Sequence, residues 1–526
     1  MVSKIRQIIE SCIKIMPACP KPERELLFTQ RLTWTIGALV VYFLLTVIPI
    51  YGVGSLYGEA DPFFWTRTLT ASSRGTLAEL GIGPLVTAVL IMQLLVRFKV
   101  IPLNMSKPEE RTFYIGTQKV LAVVLTIFQA LASILGGNYP NAVGNMNLSL
   151  VIFIQLVIAG ILIILLDELV QGWGLGSGIA LFIAGGVAQN IFWNALAPIP
   201  AVGVGNELEI ILIPDSALQD GTLRHGAILA LFQAIQAAIA VGVNALKAIA
   251  VLIIRPGNTP GLLSVISTGI ILLLVLYFEI MYGEIPRNSA ESSDITRKYP
   301  IKLLYVSTIS LILALAVLEN AYYIAQMLWN TSGREHAPLL IKLLGNFQAE
   351  ATRYVPVPGC LVYYLTPPQG MLDVFDDFLR AIVYALVLVG LCIVFSVIWI
   401  ENAEINRLEI PQELIDAGVQ KTDWQKELRT TAMTGGLIIG LLAAFAEFIG
   451  PLVSGAGLVL AVSIMWYYSE LFVKKKTVDA PKTPEIRLAI KATVAGLGLV
   501  GIIGYVIKIG FFIIQGPVLS IGVKLI

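Results

Sequence analysis

Few residues of this chain have the types and spacing that catalysis or metal binding requires. It has two histidines, His225 and His336, and no HExxH, phosphate-binding P-loop, GxSxG or CxxC pattern. The four cysteines are scattered and indicate neither a disulfide framework nor a metal site: Cys12, Cys19, Cys360 and Cys392. The pattern predicts a protein that is not an enzyme, with no catalytic residues, no metal and no cofactor.

A run of alternating glycines, Gly172–Gly178 (GWGLGSG), has the look of a dinucleotide-binding loop. It follows an apolar segment that carries Asp167 and Glu168, and no strand–helix–strand unit surrounds it. We therefore interpret it as a flexible cytoplasmic turn that opens the next helix.

Ionisable residues within the apolar segments are also few, and they do not form a chain of charges: Glu279, Glu319 and Glu447. Such residues usually mark the binding or transport site of a membrane protein. Their scarcity disfavours an ion-coupled small-molecule transporter, which would need a central polar site.

The elements that carry these residues are membrane helices. The chain has 526 residues, of which 56% are hydrophobic and only 13% are charged, whereas soluble domains carry roughly a quarter charged residues. Apolar runs near the 20 residues that a bilayer requires recur along most of its length. The predicted spans lie at about 31–50, 82–97, 115–135, 148–170, 176–197, 260–282, 301–328, 378–400, 433–452, 455–473 and 488–515.

The distribution of lysine and arginine predicts that the N-terminus is cytoplasmic. That side would receive most of the basic loops, including the run Lys474–Lys476. Residues 5–15 form an amphipathic segment that we expect at the membrane interface. The interrupted apolar insert 198–259 must then be an external re-entrant or surface hairpin. Five main helices would lie on either side of it, as in an inverted repeat.

The segment 52–81 is too polar to face lipid and precedes a short apolar helix that opens at Gly81–Pro84 (GIGP). A Gly/Pro break before a short helix is typical of a discontinuous helix beside a cavity. An ordinary external loop is the alternative, and the residues alone leave both open.

Several motifs closely resemble those of the SecY family, nearest to its archaeal and eukaryotic branch. They are Arg74–Pro84 (RGTLAELGIGP), Val86–Thr87, Ile91–Leu95 (IMQLL), Gly176–Ile179 (GSGI), Phe182–Gly186 (FIAGG) and Tyr299–Lys302 (YPIK). The resemblance implies an all-α integral membrane protein, a ten-helix channel made of two inverted five-helix halves. The expected divisions are a cytoplasmic segment 1–30, an N-terminal half 31–197, the external insert 198–259, a C-terminal half 260–476 and a tail 477–526.

The tail resembles SecE, which is normally a separate small subunit that clamps the channel. The matching residues are Lys482–Pro484 (KTP), Ala489–Thr493 (AIKAT) and Gly501–Tyr505 (GIIGY). The resemblance implies that residues 482–515 form an eleventh, SecE-like helix, fused naturally or by design. An extra helix without that role is the alternative.

The resemblance also implies roles for particular residues. An aliphatic pore ring would comprise Ile82, Val86, Ile179, Ile183, Ile312 and Leu460. Polar positions of a lateral gate would be Thr87, Gln129 and Asn320, between helices at 82–97 and 301–328. A plug at about 55–75 would include Phe63, Phe64, Trp65, Leu69 and Arg74. Ribosome-facing residues in loops at about 284–300 and 401–432 would be Arg287, Arg297, Lys298, Lys421, Lys426 and Arg429.

The function implied is a protein-conducting channel, which moves secretory polypeptides across the membrane and membrane segments laterally into it. Its expected partners are a SecE-type subunit (or the fused tail), a small single-helix beta-type subunit, the ribosome, signal peptides, nascent chains and lipids. The implied location is an archaeal plasma membrane. A small-molecule transporter and a scaffold or insertase without an aqueous path are the alternatives.

Overall fold

Helices dominate this computed structural model. It describes residues 2–20, 22–53, 67–101, 103, 107–135, 138–139, 145–199, 224–241, 252–253, 255, 260–286, 298–302, 304, 307–333, 336–350, 353–368, 370–401, 421–474 and 483–522. The chain divides into two compact units. The first comprises Met1–Ile183, Leu276–Pro367 and Leu379–Ala444, and the second comprises Ala184–Val275, Pro368–Phe378 and Phe445–Ile526.

The helices of the first half follow the predicted order. They are α1 (Val2–Ile15), α2 (Phe28–Leu45), the single turn α3 (Arg67–Thr70), α4 (Gly83–Arg97), α5 (Pro108–Leu135), α6 (Met146–Trp173) and α7 (Gly178–Leu196). The insert contributes the short apolar helix α8 (Ala227–Val241).

The second half has helices and two short hairpins. They are α9 (Leu262–Glu279), β1 (Tyr282–Pro286), β2 (Lys298–Lys302), α10 (Ser307–Thr331), α11 (Leu339–Leu344), β3 (Phe347–Glu350), β4 (Arg353–Pro356), α12 (Leu361–Leu365), α13 (Met371–Asp376), α14 (Phe378–Trp399), α15 (Lys421–Ile449) and α16 (Gly455–Lys474). The tail forms α17 (Thr483–Gly522).

Ten helices among the described residues are long and apolar enough to cross a membrane, and one of them is the Leu488–Phe511 part of α17. Helix α4 is shorter. Its 15 residues span about 22 Å at 1.5 Å per residue, less than the roughly 30 Å of hydrocarbon. The predicted short helix at 82–97 is confirmed. Each of the other ten predicted spans overlaps one of the ten long helices.

Two boundaries and one hairpin differ from the prediction. The helix expected from residue 301 begins at Ser307, because Lys298–Lys302 pairs antiparallel with Tyr282–Pro286. The loop expected up to residue 432 ends at Lys421, where α15 begins about two turns before its apolar span. A second hairpin, β3–β4, was not foreseen. Short pairings of this kind leave no apolar periodicity in the sequence.

Polar side chains fix the helix ends around the Gly172–Gly178 turn. One carboxylate oxygen of Asp167 accepts the main-chain N–H of Ile179 at 2.9 Å, and the other accepts the side-chain amide of Gln171 at 2.7 Å. Gly176 has a φ of +72°, a conformation that glycine adopts without steric cost. The start of α7 is therefore held by the end of α6, which is how the turn positions Ile179 and Ile183.

In the second unit, α17 packs closely on α7 and α16. The hydroxyl of Thr493 donates to Ser469 Oγ at 2.9 Å, Gln189 Nε2 donates to the carbonyl of Gly504 at 3.1 Å, and the Tyr505 hydroxyl donates to the carbonyl of Leu196 at 2.6 Å. A Cβ at Gly501 would lie 2.3 Å from the ring of Phe192. Small residues let helices approach in this way, as is typical of membrane bundles.

Candidate functional site

The break between α3 and α4 depends on a close backbone approach. The main-chain N–H of Ile82 donates to the carbonyl of Thr70 at 2.8 Å. Gly81 has a φ of +53°, and a Cβ there would lie 2.0 Å from that same carbonyl oxygen. Any larger residue at this position would push α3 away from the start of α4. Pro84 is the second residue of α4, in the first turn, where its missing N–H costs nothing.

A cavity of about 50 Å³ lies beside this break, within the first unit. The helices α4, α5 and α10 and the segment 67–82 form its walls. Its lining includes Arg67, Glu79, Thr87, Gln129, Asn320 and Tyr323. Of the two interpretations of the Gly/Pro break, the discontinuous helix beside a cavity is thus confirmed.

The three predicted gate residues all line this cavity. Asn320 Nδ2 on α10 donates to Thr87 Oγ1 on α4 at 3.1 Å and to the carbonyl of Ala316 at 2.7 Å. Gln129 lies on α5, with its amide oxygen 3.5 Å from where a Cβ of Gly83 would be. The structure therefore brings Thr87, Gln129 and Asn320 to one seam, where α10 meets α4 and α5.

Sequence reasoning missed a tyrosine at the same seam. The hydroxyl of Tyr323 on α10 donates to the carbonyl of Gln129 at 3.1 Å and lies 3.5 Å from Ser133 Oγ. Tyr323 follows Asn320 by three residues, so both lie on one face of the helix. That spacing was the signal that could have identified it.

A buried ion pair at one wall of the cavity was also missed. Arg67 Nη2 lies 2.8 Å from Glu79 Oε1, and the two side chains are 13% and 4% exposed. The other oxygen of Glu79 accepts the main-chain N–H of Gly75. Nearby, burial and then the charge of Glu79 raise the pKa of Tyr139 well above its usual value. The Arg67–Glu79 pair ties the single turn α3 to the segment just before α4.

Five of the six aliphatic residues expected in the pore ring lie on four helices, and Ile82 directly precedes one of them, α4. Ile82, Val86, Ile179, Ile183 and Ile312 belong to the first unit, and Leu460 belongs to the second. Ile82 and Val86 are one turn apart, since the N–H of Val86 donates to the carbonyl of Ile82 at 3.0 Å. Ile82, Val86, Ile183 and Leu460 are buried, whereas Ile179 and Ile312 are half-buried. Their role as a ring stays a prediction.

The predicted plug and ribosome-facing residues are only partly described. Phe63, Phe64, Trp65, Arg287 and Arg297 lie outside the described residues. Leu69 belongs to α3, and Arg74 lies in the turn that follows it. Lys298 belongs to β2 and Lys421 to α15. Lys426 is exposed on α15.

Arg429 belongs to a cluster of charges rather than to a loop. Its Nε lies 3.8 Å from Glu401 at the end of α14, and Glu401 also pairs with Arg97 at the end of α4. Arg429 is 57% exposed and Glu401 is 17% exposed. The Glu401 carboxylate therefore connects the end of α4, the residues that follow α14 and the first third of α15.

Comparisons with known proteins settle the family. The family model described as SecY matches residues 76–469, and the model described as the plug domain of Sec61p matches residues 40–75. The chain belongs to the SecY family. The plug match covers the region 55–75 in which a plug was expected. The SecY match covers the cavity-lining residues from Glu79 onward and ends before α17.

Solved structures agree with this assignment. One described as a protein conducting channel is 30% identical with a TM-score of 0.69, and the match covers 89% of this chain and 96% of that one. The channel of the canine ribosome–channel complex from the endoplasmic reticulum is 30% identical with a TM-score of 0.66 and the same coverage. A third structure is 28% identical with a TM-score of 0.68. Its description says that the plug domain of the SecY protein stabilises the closed state of the translocation channel. This SecY-family chain is therefore a multi-pass membrane protein with the channel fold.

Proposed function

We propose that this chain is the channel subunit of a Sec translocon, which moves secretory polypeptides across the membrane and lets membrane segments leave sideways into the bilayer. The observation that carries the proposal is the SecY-family match over residues 76–469, together with the structural likeness to a protein conducting channel. The chain itself supplies no chemical energy, so a partner such as the ribosome drives the movement, as the likeness to the ribosome–channel complex suggests.

The seam between α10 and the pair α4/α5 is suited to be the lateral gate. Its polar contacts include the Thr87–Asn320 hydrogen bond and the Tyr323 bond to α5. Hydrogen bonds between membrane helices contribute about 0.6–2 kcal/mol each, so each of these two contacts adds only a small cost to separating the helices. An apolar signal helix that enters the seam would offset that cost by placing its side chains in lipid and protein.

The aliphatic residues and the plug region would keep the resting channel closed to ions. Branched aliphatic side chains exclude water from a narrow constriction by dewetting, yet they yield to a passing polypeptide of any sequence. Val86 lines the cavity, and Ile82 caps the start of α4 one turn earlier, which supports their place in such a constriction. The Arg67–Glu79 pair would fasten the end of the plug region.

The tail α17 would take the place of a SecE-type clamp. Its side chains from Thr493 to Lys508 contact α16 and α7, and Lys508 Nζ lies 4.3 Å from the centre of the Trp193 ring. A tightly packed outer helix of this kind could hold two parts of a channel while a gate opens. The proposal further includes a cytoplasmic N-terminus, a plasma-membrane location, a beta-type subunit, and ribosome contact through Arg287, Arg297, Lys298, Lys421, Lys426 and Arg429.

Site-specific photo-crosslinking tests the channel directly. A photoreactive amino acid at Ile82 or Ile183, in membranes that hold a ribosome-stalled secretory chain, should capture that chain. The control is Ile158 on the lipid-exposed side of α6, which is 62% exposed and should capture much less. If Ile82, Val86, Ile183 and Leu460 all stay silent while the stalled chain is bound, the chain is not a polypeptide channel.

A further inference from the structure

Tyr323 makes a different kind of contact from the three gate residues that the family motifs indicate. Asn320 reaches a side chain on α4, whereas the Tyr323 hydroxyl donates to a main-chain carbonyl of α5, that of Gln129. It also lies 3.5 Å from Ser133 Oγ, one turn further along α5. Two residues on one face of α10 thus bind two different helices.

The position of Tyr323 adds a second consequence. Its side chain lines the cavity that also contains Arg67 and Glu79. Withdrawal of α10 from α5 would remove the Tyr323 hydroxyl from this wall and let water reach the ion pair. Water that reaches a buried ion pair lowers the desolvation cost of its two charges. The contact of Tyr323 with α5 therefore affects the end of the predicted plug region as well as the seam.

We propose that Tyr323 is a gate-positioning residue, whose hydroxyl holds α10 against the main chain of α5 and keeps the seam closed at the end nearest the Arg67–Glu79 pair. This inference rests on the proposed channel function. Because the acceptor is a main-chain carbonyl, the contact does not depend on which side chain stands at residue 129. Its effect is therefore separable from that of the Gln129 side chain.

The substitution Tyr323→Phe removes the hydroxyl and keeps the ring. Loss of one hydrogen bond between membrane helices should shift the gate toward opening by about fivefold. Export of a secretory reporter with a weakened signal sequence, in vesicles that hold the full chain, should rise by that factor. Ion conductance of the resting channel in planar bilayers should rise with it.

The neighbouring tyrosine is a matched control. The Tyr322 hydroxyl donates to the carbonyl of Tyr354 on β4 at 3.4 Å, and the Tyr322 ring packs against Phe347. Tyr322→Phe should leave reporter export and conductance at the wild-type level, even if its thermal stability falls as much as that of Tyr323→Phe. Equal export by the two variants would overturn the inference, because loss of stability alone would then explain the effect.

A second background keeps the test decisive. In a Gln129→Leu chain the main-chain acceptor persists, so Tyr323→Phe should raise export by the same factor as in the wild type. No increase there would show that the hydroxyl acts through the Gln129 side chain, against the proposal. Failure of the channel function itself would look different, since the wild type would then not export even a reporter with an intact signal.

Discussion

Two helix interfaces of this chain are built in contrasting ways. The seam in the first unit, where α10 meets α4 and α5, has a cavity of about 50 Å³ and is joined by polar side chains. The interface in the second unit, where α17 meets α7 and α16, has side chains packed directly against glycines. A seam with a cavity forfeits dispersion contacts that a packed interface keeps, so the first is the one that can separate at low cost.

Each interface also contains a threonine in a nearly identical setting. Thr87 and Thr493 both bond the carbonyl four residues earlier at 2.8 Å, and both bond a polar side chain on a neighbouring helix. The difference between the regions therefore lies in what surrounds the hydrogen bond. This gives a direct way to separate the effect of a polar contact from the effect of packing.

The largest effect is expected at Gly501. A Cβ there would lie 2.3 Å from Phe192 and 3.0 Å from the carbonyl oxygen of Ala188, so Gly501→Leu should destabilise the second unit by about 3 kcal/mol through overpacking. Gly498 has no neighbouring atom within 4 Å of such a Cβ, and Gly498→Leu should be nearly neutral. Thermal unfolding in detergent measures both. Equal losses in the two variants would mean that close packing does not distinguish this interface.

Acid should weaken the second unit through His225. Burial, followed by the charges of Arg255 and Lys508, lowers the pKa of His225 to about 4. A histidine with a lowered pKa stabilises the fold above its unfolded pKa of about 6.5, and that contribution is lost as the pH falls toward 4. Between pH 7 and pH 5 the loss should be about 2 kcal/mol.

The control for this pH dependence is His225→Gln, which has no imidazole to protonate. From pH 7 to pH 5 the unfolding free energy of the wild type should fall by about 2 kcal/mol more than that of this variant. A difference that stays constant over this range would contradict the assignment of a lowered pKa to His225.

The smallest effect, and the sharpest comparison, comes from the two threonines. Thr87→Val should favour opening of the seam by about 1 kcal/mol, seen as increased resting ion conductance in planar bilayers. Thr493→Val removes an equivalent hydrogen bond from the packed interface and should leave conductance unchanged. Increased conductance in both variants would mean that the two interfaces separate equally easily.

The long helices could be predicted from the sequence because a membrane span is recognisable from the length and hydropathy of one continuous run of residues. It also indicated Thr87, Gln129 and Asn320 through the family motifs, and the structure brings all three to one cavity. It gave no sign of the Arg67–Glu79 pair, since the two residues are 12 positions apart across an irregular segment. The β1–β2 pairing and the Glu401 cluster likewise depend on which distant segments meet, and no local periodicity records that.

The Arg67–Glu79 pair has an electrical consequence. A membrane potential does work only on net charge that moves through it, about 2.3 kcal/mol per elementary charge for each 100 mV. The arginine and the glutamate, 2.8 Å apart, carry no net charge when they move together. The voltage across the membrane therefore does almost no work on this pair, and the closed state would not depend on the potential through these residues. An arginine or a glutamate released from its partner would respond to the field.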